Sequence, residues 1–124
     1  MGEYENSYIP HSGTIDEFNE FLKPIWNQGN CFVLVDESDQ VMPELTPLCF
    51  YANKIINLGR HRNIGMAFVT RIIARLNKNA FAQSAELILF HHFAPNDIRY
   101  LNEIIPDAES LIRLKKFEYK IYIL

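Results

Sequence analysis

The chain has 124 residues, 48% of them apolar and 22% charged, with a net charge of −3 and a pI near 5.8. That length supports one domain with a single core, and the composition excludes a disordered or collagen-like chain. An acidic average excludes a surface that is basic throughout, so any nucleic-acid contact has to be local. No stretch is long and apolar enough to span a bilayer, the first residues (MGEYENSY) form no basic leader, and a cytoplasmic location is the expectation. Cys31 and Cys49 stand alone in apolar surroundings without metal-ligand spacing, which reads as two free buried thiols in a reducing compartment.

Tyr4 to Pro10 reads as a short strand stopped by Pro10 and the His11-Ser12-Gly13 turn. Thr14 with Glu17 three residues on has capping-box spacing. Ile15, Phe18, Phe21, Leu22 and Ile25 then recur at helical intervals up to Asn27-Gln28-Gly29-Asn30. Cys31 to Asp39 (CFVLVDESD) is an apolar run that ends in adjacent carboxylates, the layout of a buried strand delivering Asp36 and Glu37 to its carboxyl end. Ligands of open α/β sheets bind at that end, and an Asp followed by Glu suits Mg²⁺ holding and activation of a water.

Ser38 to Pro47 reads as a loop punctuated by Pro43 and Pro47, and Leu48 to Leu58 as a helix stopped by Gly59. The basic turn Arg60-His61-Arg62 follows, then Ile64 to Thr70 (IGMAFVT) as a second strand ending in Thr70 and Arg71. Ile72 to Ala80 fits no single pattern. Phe81 to Ala85 suits a short helix, Glu86 to His91 a third strand, and Ala94 to Asp97 the start of a helix with Ile98, Leu101, Ile104 and Ile105 on one face. A helix around Ala108 to Leu114 leads to Phe117 to Leu124, whose alternating Phe117, Tyr119, Ile121 and Ile123 mark a closing strand. The alternation predicts an α/β fold, a mostly parallel sheet of about five strands with helices on both faces.

CFVLVDESD, together with NLGRHRNIGMAFVTRIIARLNKNAFAQSAELILFHHFAPNDIRYL, resembles the second half of the HerA/FtsK-type P-loop ATPases, in particular the small Zot-like ATP-binding proteins of phages and mobile elements. The resemblance runs over roughly residues 5 to 123. It implies that the strand ending in Asp36-Glu37 is a Walker B element: Asp36 would hold Mg²⁺ through its water shell, and Glu37 would polarise the water that attacks ATP. Thr70 would be a polar sensor on the neighbouring strand, with Arg71 near phosphate or DNA. Arg60 or Arg62 would act as an arginine finger on a neighbouring subunit's nucleotide. A solvated turn behind a helix C-terminus, where the dipole favours positive charge, explains the same two arginines without any such role.

The chain departs from the family at the phosphate cradle. Its five glycines are Gly2, Gly13, Gly29, Gly59 and Gly65, and none belongs to GxxxxGK[ST], the loop whose amides and Lys hold the triphosphate. The expectation is therefore one domain, residues 1–124, lacking the N-terminal phosphate-binding unit. It would be an ATPase-type domain of a phage or mobile-element DNA-translocation or packaging protein in a bacterial host, not competent for hydrolysis alone. The alternative is a non-catalytic module that assembles, as a homo- or hetero-oligomer, with complete ATPase subunits.

Other constellations point elsewhere less well. His91 and His92 follow a strand and could be imagined as metal ligands with Asp36, but adjacent residues on a regular strand face opposite ways, which disfavours a shared metal. Ser84, His91, His92 and Asp97 lack a nucleophile-elbow pattern, and a Mg²⁺ nuclease would need further spaced acids and a Lys around Asp36 and Glu37. Trp26 and the tyrosines towards the C-terminus are explained by packing before base stacking.

Overall fold

The computed structural model describes residues 12–92 and 94–124. The expected strand at Tyr4 to Pro10 lies outside the described residues. Helix α1 spans Ile15–Gln28: Thr14 caps it, its hydroxyl accepting from the Glu17 amide at 3.2 Å. The Glu17 carboxylate accepts from the Ser12 amide at 2.7 Å, so the reciprocal bond of the box reaches two residues further back than its spacing suggests. Strand β1 (Cys31–Val35) follows after Gly29 and Asn30, both at positive φ.

Ser38 to Pro47 is not wholly a loop. Ser38–Val41 forms one helical turn, α2, and Pro43 bridges Leu76. Helix α3 (Phe50–Leu58) does not stop on a left-handed Gly59 either. Gly59 has φ −58 and opens a 3₁₀ turn, Gly59–Arg62, which Asn63 ends at φ 53. A glycine suits the position for a different reason: a Cβ there would meet the Ile64 carbonyl at 3.1 Å. Strand β2 (Ile64–Phe68) then runs parallel to β1, Cys31 opposite Ile64 and Val35 opposite Phe68.

The stretch with no clear pattern resolves into a 3₁₀ turn, Ile73–Arg75, and helix α4, Lys78–Ala82. Asn77 caps α4 by accepting from the amides of Asn79 and Ala80, which starts the helix three residues earlier than the apolar spacing suggested. Strand β3 (Glu86–Phe90), helix α5 (Pro95–Asn102), a 3₁₀ segment (Ala108–Arg113) and strand β4 (Tyr119–Ile123) complete the chain. On α5 and just beyond it, Ile98, Leu101 and Ile105 are buried as the spacing requires, while Ile104 is exposed.

The fold is α/β, but among the described residues its sheets are small. β1 pairs with β2 in parallel, β3 with β4 antiparallel, and the two pairs are not hydrogen-bonded to each other. Each has its own core. Phe18, Leu22, Ala52 and Ile55 pack on Val33, Val35 and Ile64, whereas Ile98, Leu101, Ala108 and Leu111 pack on Leu87 and Leu89. The connection from β2 to β3 serves both: Leu76 and Ala80 join the first core, Ile73 and Phe81 the second.

Candidate functional site

The carboxyl end of β1 forms a tight acidic turn. Asp36 Oδ1 accepts from the Glu37 amide at 2.8 Å, and Glu37 sits in the left-handed region, φ 48 and ψ 47. A non-glycine residue there is held at a cost of about 1–2 kcal/mol, so its surroundings must impose it. The imposing residue is Ser38, which is fully buried. Its hydroxyl donates to the Val35 carbonyl at 2.6 Å and accepts from the Val69 amide at 3.1 Å, while its own amide donates to the Val69 carbonyl at 2.9 Å. Ser38 thus staples the end of β1 to the end of β2, and Glu37 is bent out of the strand as a result.

Both Glu37 oxygens are engaged. Arg71 Nη2 donates to Oε1 at 2.9 Å, and Gln40 Nε2 donates to Oε2 at 2.9 Å. The Arg71 side chain is 87% exposed and that of Glu37 48% exposed, so the ion pair is a solvent-screened one. Thr70 lies beside them but its hydroxyl donates to Asp39 Oδ1 at 2.9 Å, not to Asp36. Asp36, Glu37, Thr70 and Arg71 are therefore one cluster at one sheet end, joined by Ser38, Asp39 and Gln40. The last three are invisible to motif reading because their roles depend on the approach of the β2 end.

Arg60 and Arg62 are not in that cluster. They stand at the amino end of the same strands, where Asn30 N donates to Arg62 O at 2.9 Å and Cys31 N to Asn63 O at 3.1 Å. The five residues of β1 separate them from Asp36, about 17 Å at the usual rise. Arg62 caps α1: Nε donates to the Trp26 carbonyl at 2.8 Å and Nη2 to the Asn27 carbonyl at 2.7 Å, with the guanidinium 5.3 Å from the Trp26 ring centroid. The sequence ties this arginine to the end of the helix before it, α3; the structure places its guanidinium on the end of α1 instead. Both arginines line an open polar hollow of about 310 Å³ with Gln28, Asn30 and His61, and Arg60 makes no side-chain hydrogen bond among the described residues.

No group of three or more His, Cys, Asp or Glu side chains among the described residues is arranged to hold a metal ion. Asp36 alone fits a water-mediated Mg²⁺, since Oδ2 has no protein partner among those residues and Mg²⁺ bound with phosphates commonly takes one or two carboxylates. His92 and Asp97 form a separate pair, Nε2 to Oδ2 at 2.6 Å, with the buried Asp97 also accepting from the Ala74 amide at 3.0 Å. This pair ties the segment after β3 to α5 and, through Asp97, to the β2–β3 connection. Cys31 and Cys49 are free thiols, half-buried against the first core and not fully buried as the sequence suggests, and that partial burial pushes both above their ordinary value.

No protein-family model matches the sequence, and no curated protein matches it. Solved structures do. The genome-packaging NTPase B204 of Sulfolobus turreted icosahedral virus 2, in complex with ATPγS, superposes with a TM-score of 0.82 at 19% identity, over 93% of this chain and 59% of that one. The same protein in complex with AMPPCP gives 0.73 at 19% identity, over 88% and 55%. B204 of Sulfolobus turreted icosahedral virus, a DNA-packaging ATPase, gives 0.72 at 21% identity, over 84% and 56%. The chain thus has the fold of these viral NTPases over nearly all of its own length and spans less than two-thirds of theirs. No helix among the described residues is long and apolar enough to cross a membrane.

Proposed function

We propose that this chain is the acidic-strand part of an ATP-hydrolysing domain of the DNA-translocation or packaging class. The observation that carries the reading is the Asp36-Glu37 turn at the carboxyl end of β1, in a fold that B204 shares and in which B204 was solved with ATPγS. In this reading Asp36 holds Mg²⁺ through water, and the metal neutralises charge on the β- and γ-phosphate oxygens of ATP. Glu37 orients and polarises the attacking water. To do so it must exchange one of its two bonds, to Arg71 or Gln40, and an exposed pair of that kind is worth only about 0.2–1 kcal/mol. The exchange is therefore easy, and Arg71, once released, is a cation within reach of phosphate or DNA. Thr70 holds Asp39 and so fixes the turn from the β2 side. The working compartment is the cytoplasm of the phage or mobile-element host.

The absence of GxxxxGK[ST] favours a second reading for the chain acting alone: a non-catalytic module that joins complete ATPase subunits in a homo- or hetero-oligomer. Isothermal titration calorimetry with Mg²⁺ and ATP or ATPγS separates the two. The first reading expects binding that Asp36→Ala weakens about tenfold or more and that Glu37→Gln leaves in place while removing hydrolysis. No heat up to millimolar nucleotide would leave the module reading standing.

A further inference from the structure

Charge is spread unevenly along the chain. No Asp or Glu stands between Glu44 and Glu86, a stretch that carries Lys54, Arg60, Arg62, Arg71, Arg75 and Lys78, and none stands between Glu20 and Asp36. With the whole chain at −3, a +6 stretch leaves −9 on the rest. Arg71 and Lys78 are neutralised locally by Glu37 and Glu44. Lys54, Arg60, His61 and Arg62 instead collect where α1 and α3 end, beside the amino end of β1 and β2, a place built from the two acid-free stretches.

Trp26 joins these cations. Lys54 Nζ and Arg62 Cζ lie 5.1 Å and 5.3 Å from its ring centroid, which puts them no more than about 10 Å apart. Arg62 is also held by the Trp26 and Asn27 carbonyls, and a Cβ on Gly29 would meet the Arg62 carbonyl at 2.8 Å, so the basic turn sits close against the end of α1. The cations are thus largely placed before any ligand arrives, which lowers the cost of binding one. Arg60, His61 and Arg62 are exposed around the hollow, whose other side chains, Gln28, Asn30 and Asn63, are neutral amides. The helix dipoles account for a cation at each helix end. They do not account for Arg60 and His61 as well, which make no side-chain bond among the described residues.

We propose that this end of the molecule binds the sugar–phosphate backbone of duplex DNA, with Lys54, Arg60 and Arg62 each on a phosphate. The hollow is too open to enclose a small anion, whereas sites for small molecules bury about 70–90% of the ligand. A span of about 10 Å faces about three phosphates of one strand at ~3.4 Å per step. Binding to single strands uses free ring faces for the bases, and Trp26 already packs on the first core and carries two cations, so the duplex is the better occupant. Contacts to phosphate alone position the duplex and read no sequence. The proposal rests on the placement of charge and not on ATP hydrolysis, and it needs no neighbouring subunit.

Fluorescence anisotropy of a labelled duplex, without nucleotide, tests it. Three phosphate contacts give log K a slope near −2.7 against log salt, so binding at about 10–100 μM in ~50 mM salt should weaken about sixfold at ~100 mM. Lys54→Gln with Arg60→Gln should cost at least about tenfold at the lower salt and flatten the slope by about 2. Arg113→Gln with Lys115→Gln makes the same change in net charge at exposed positions elsewhere and should cost less than about twofold, because screening confines the effect to about 10 Å. Both double variants should melt with the parent, since none of the four side chains donates a hydrogen bond among the described residues. No binding at about 1 mM chain in ~50 mM salt, or equal losses in the two double variants, would overturn the proposal. So would tighter binding of a single strand of the same length, or displacement of the duplex by pyrophosphate at equal phosphate concentration, which would mark a small-anion site. An ATPase reading that failed would leave these readouts untouched, and the reverse holds too.

Discussion

The backbone of Glu37 offers the sharpest check on how the acidic turn is built. At φ 48 and ψ 47 an L-residue is disfavoured by about 1–2 kcal/mol, whereas glycine is not. Glu37→Ala and Glu37→Gly remove the same side-chain bonds to Arg71 and Gln40 and keep the amide bond to Asp36, so their difference isolates the backbone. Glycine's greater freedom in the unfolded chain offsets about 0.5–1 kcal/mol, leaving Glu37→Gly more stable than Glu37→Ala by about 0.5–1 kcal/mol, or roughly 2–5 °C in melting temperature. Urea unfolding with a common m-value is the assay. Asn53, exposed within α3, supplies the control: there the order reverses, Ala over Gly by about 1 kcal/mol. If Glu37→Gly proved less stable than Glu37→Ala, the left-handed turn would not be the ground state, and the account of Ser38 as the residue imposing it would fall.

Two further outcomes follow from the same geometry. Ser38→Ala removes a buried donor to Val35 and an acceptor for Val69 and should destabilise the chain by about 1–3 kcal/mol in urea, although the residue is neither charged nor apolar. The raised thiols of Cys31 and Cys49 favour the protonated folded form, so their contribution is fully present below the unfolded thiol value near 9.0 and is lost as pH climbs past it towards the higher folded value. Unfolding free energy should thus decline above about pH 9 more steeply than in a Cys31→Ala, Cys49→Ala chain, and equal slopes would refute the burial argument.

Much of the fold was legible because each element carries a local signature. Thr14 and the spacing to Ile25 mark α1, the apolar runs mark β1, β2 and β3, and Phe117 to Ile123 alternate as β4 does. The errors have physical causes. Pro43 and Pro47 hid the α2 turn, whose formation depends on Ser38 reaching β2 and not on propensity. Gly59 resembles a left-handed stop, but its requirement is space beside Ile64. The strand order suggested a mostly parallel sheet, whereas one described pair is antiparallel, because β3 and β4 are joined by α5 and a 3₁₀ segment that return the chain in the opposite sense. Asp36 and Glu37 were readable as a motif, while Asp39 and Gln40 are tertiary partners that no spacing rule identifies.

The position of the two arginines constrains any role they have in trans. They occupy the amino end of β1 and β2 and the acidic turn the carboxyl end, so an arginine never meets the turn of its own copy, and it meets that of another only in a head-to-tail contact, which builds rings or filaments, or in a two-fold pair whose strands lie antiparallel side by side. Within the pair the commitment also differs. Arg62 already uses Nε and Nη2 on the carbonyls of Trp26 and Asn27, and withdrawing it would leave those two carbonyls without their side-chain donor, with only the Gly29 amide on Ile25 closing the end of α1. Arg60 lines the same open hollow but makes no side-chain bond among the described residues. Arg62→Ala should therefore lower stability by about 1–2 kcal/mol in any assembly state, and Arg60→Ala by less than about 0.5 kcal/mol. If a finger exists, Arg60→Ala should reduce turnover only under conditions where the chain is assembled with ATPase subunits. An unchanged rate in that assembly, with Arg62→Ala reducing turnover in a folded protein, would mean that the finger is Arg62 and that its cap on α1 is released on assembly.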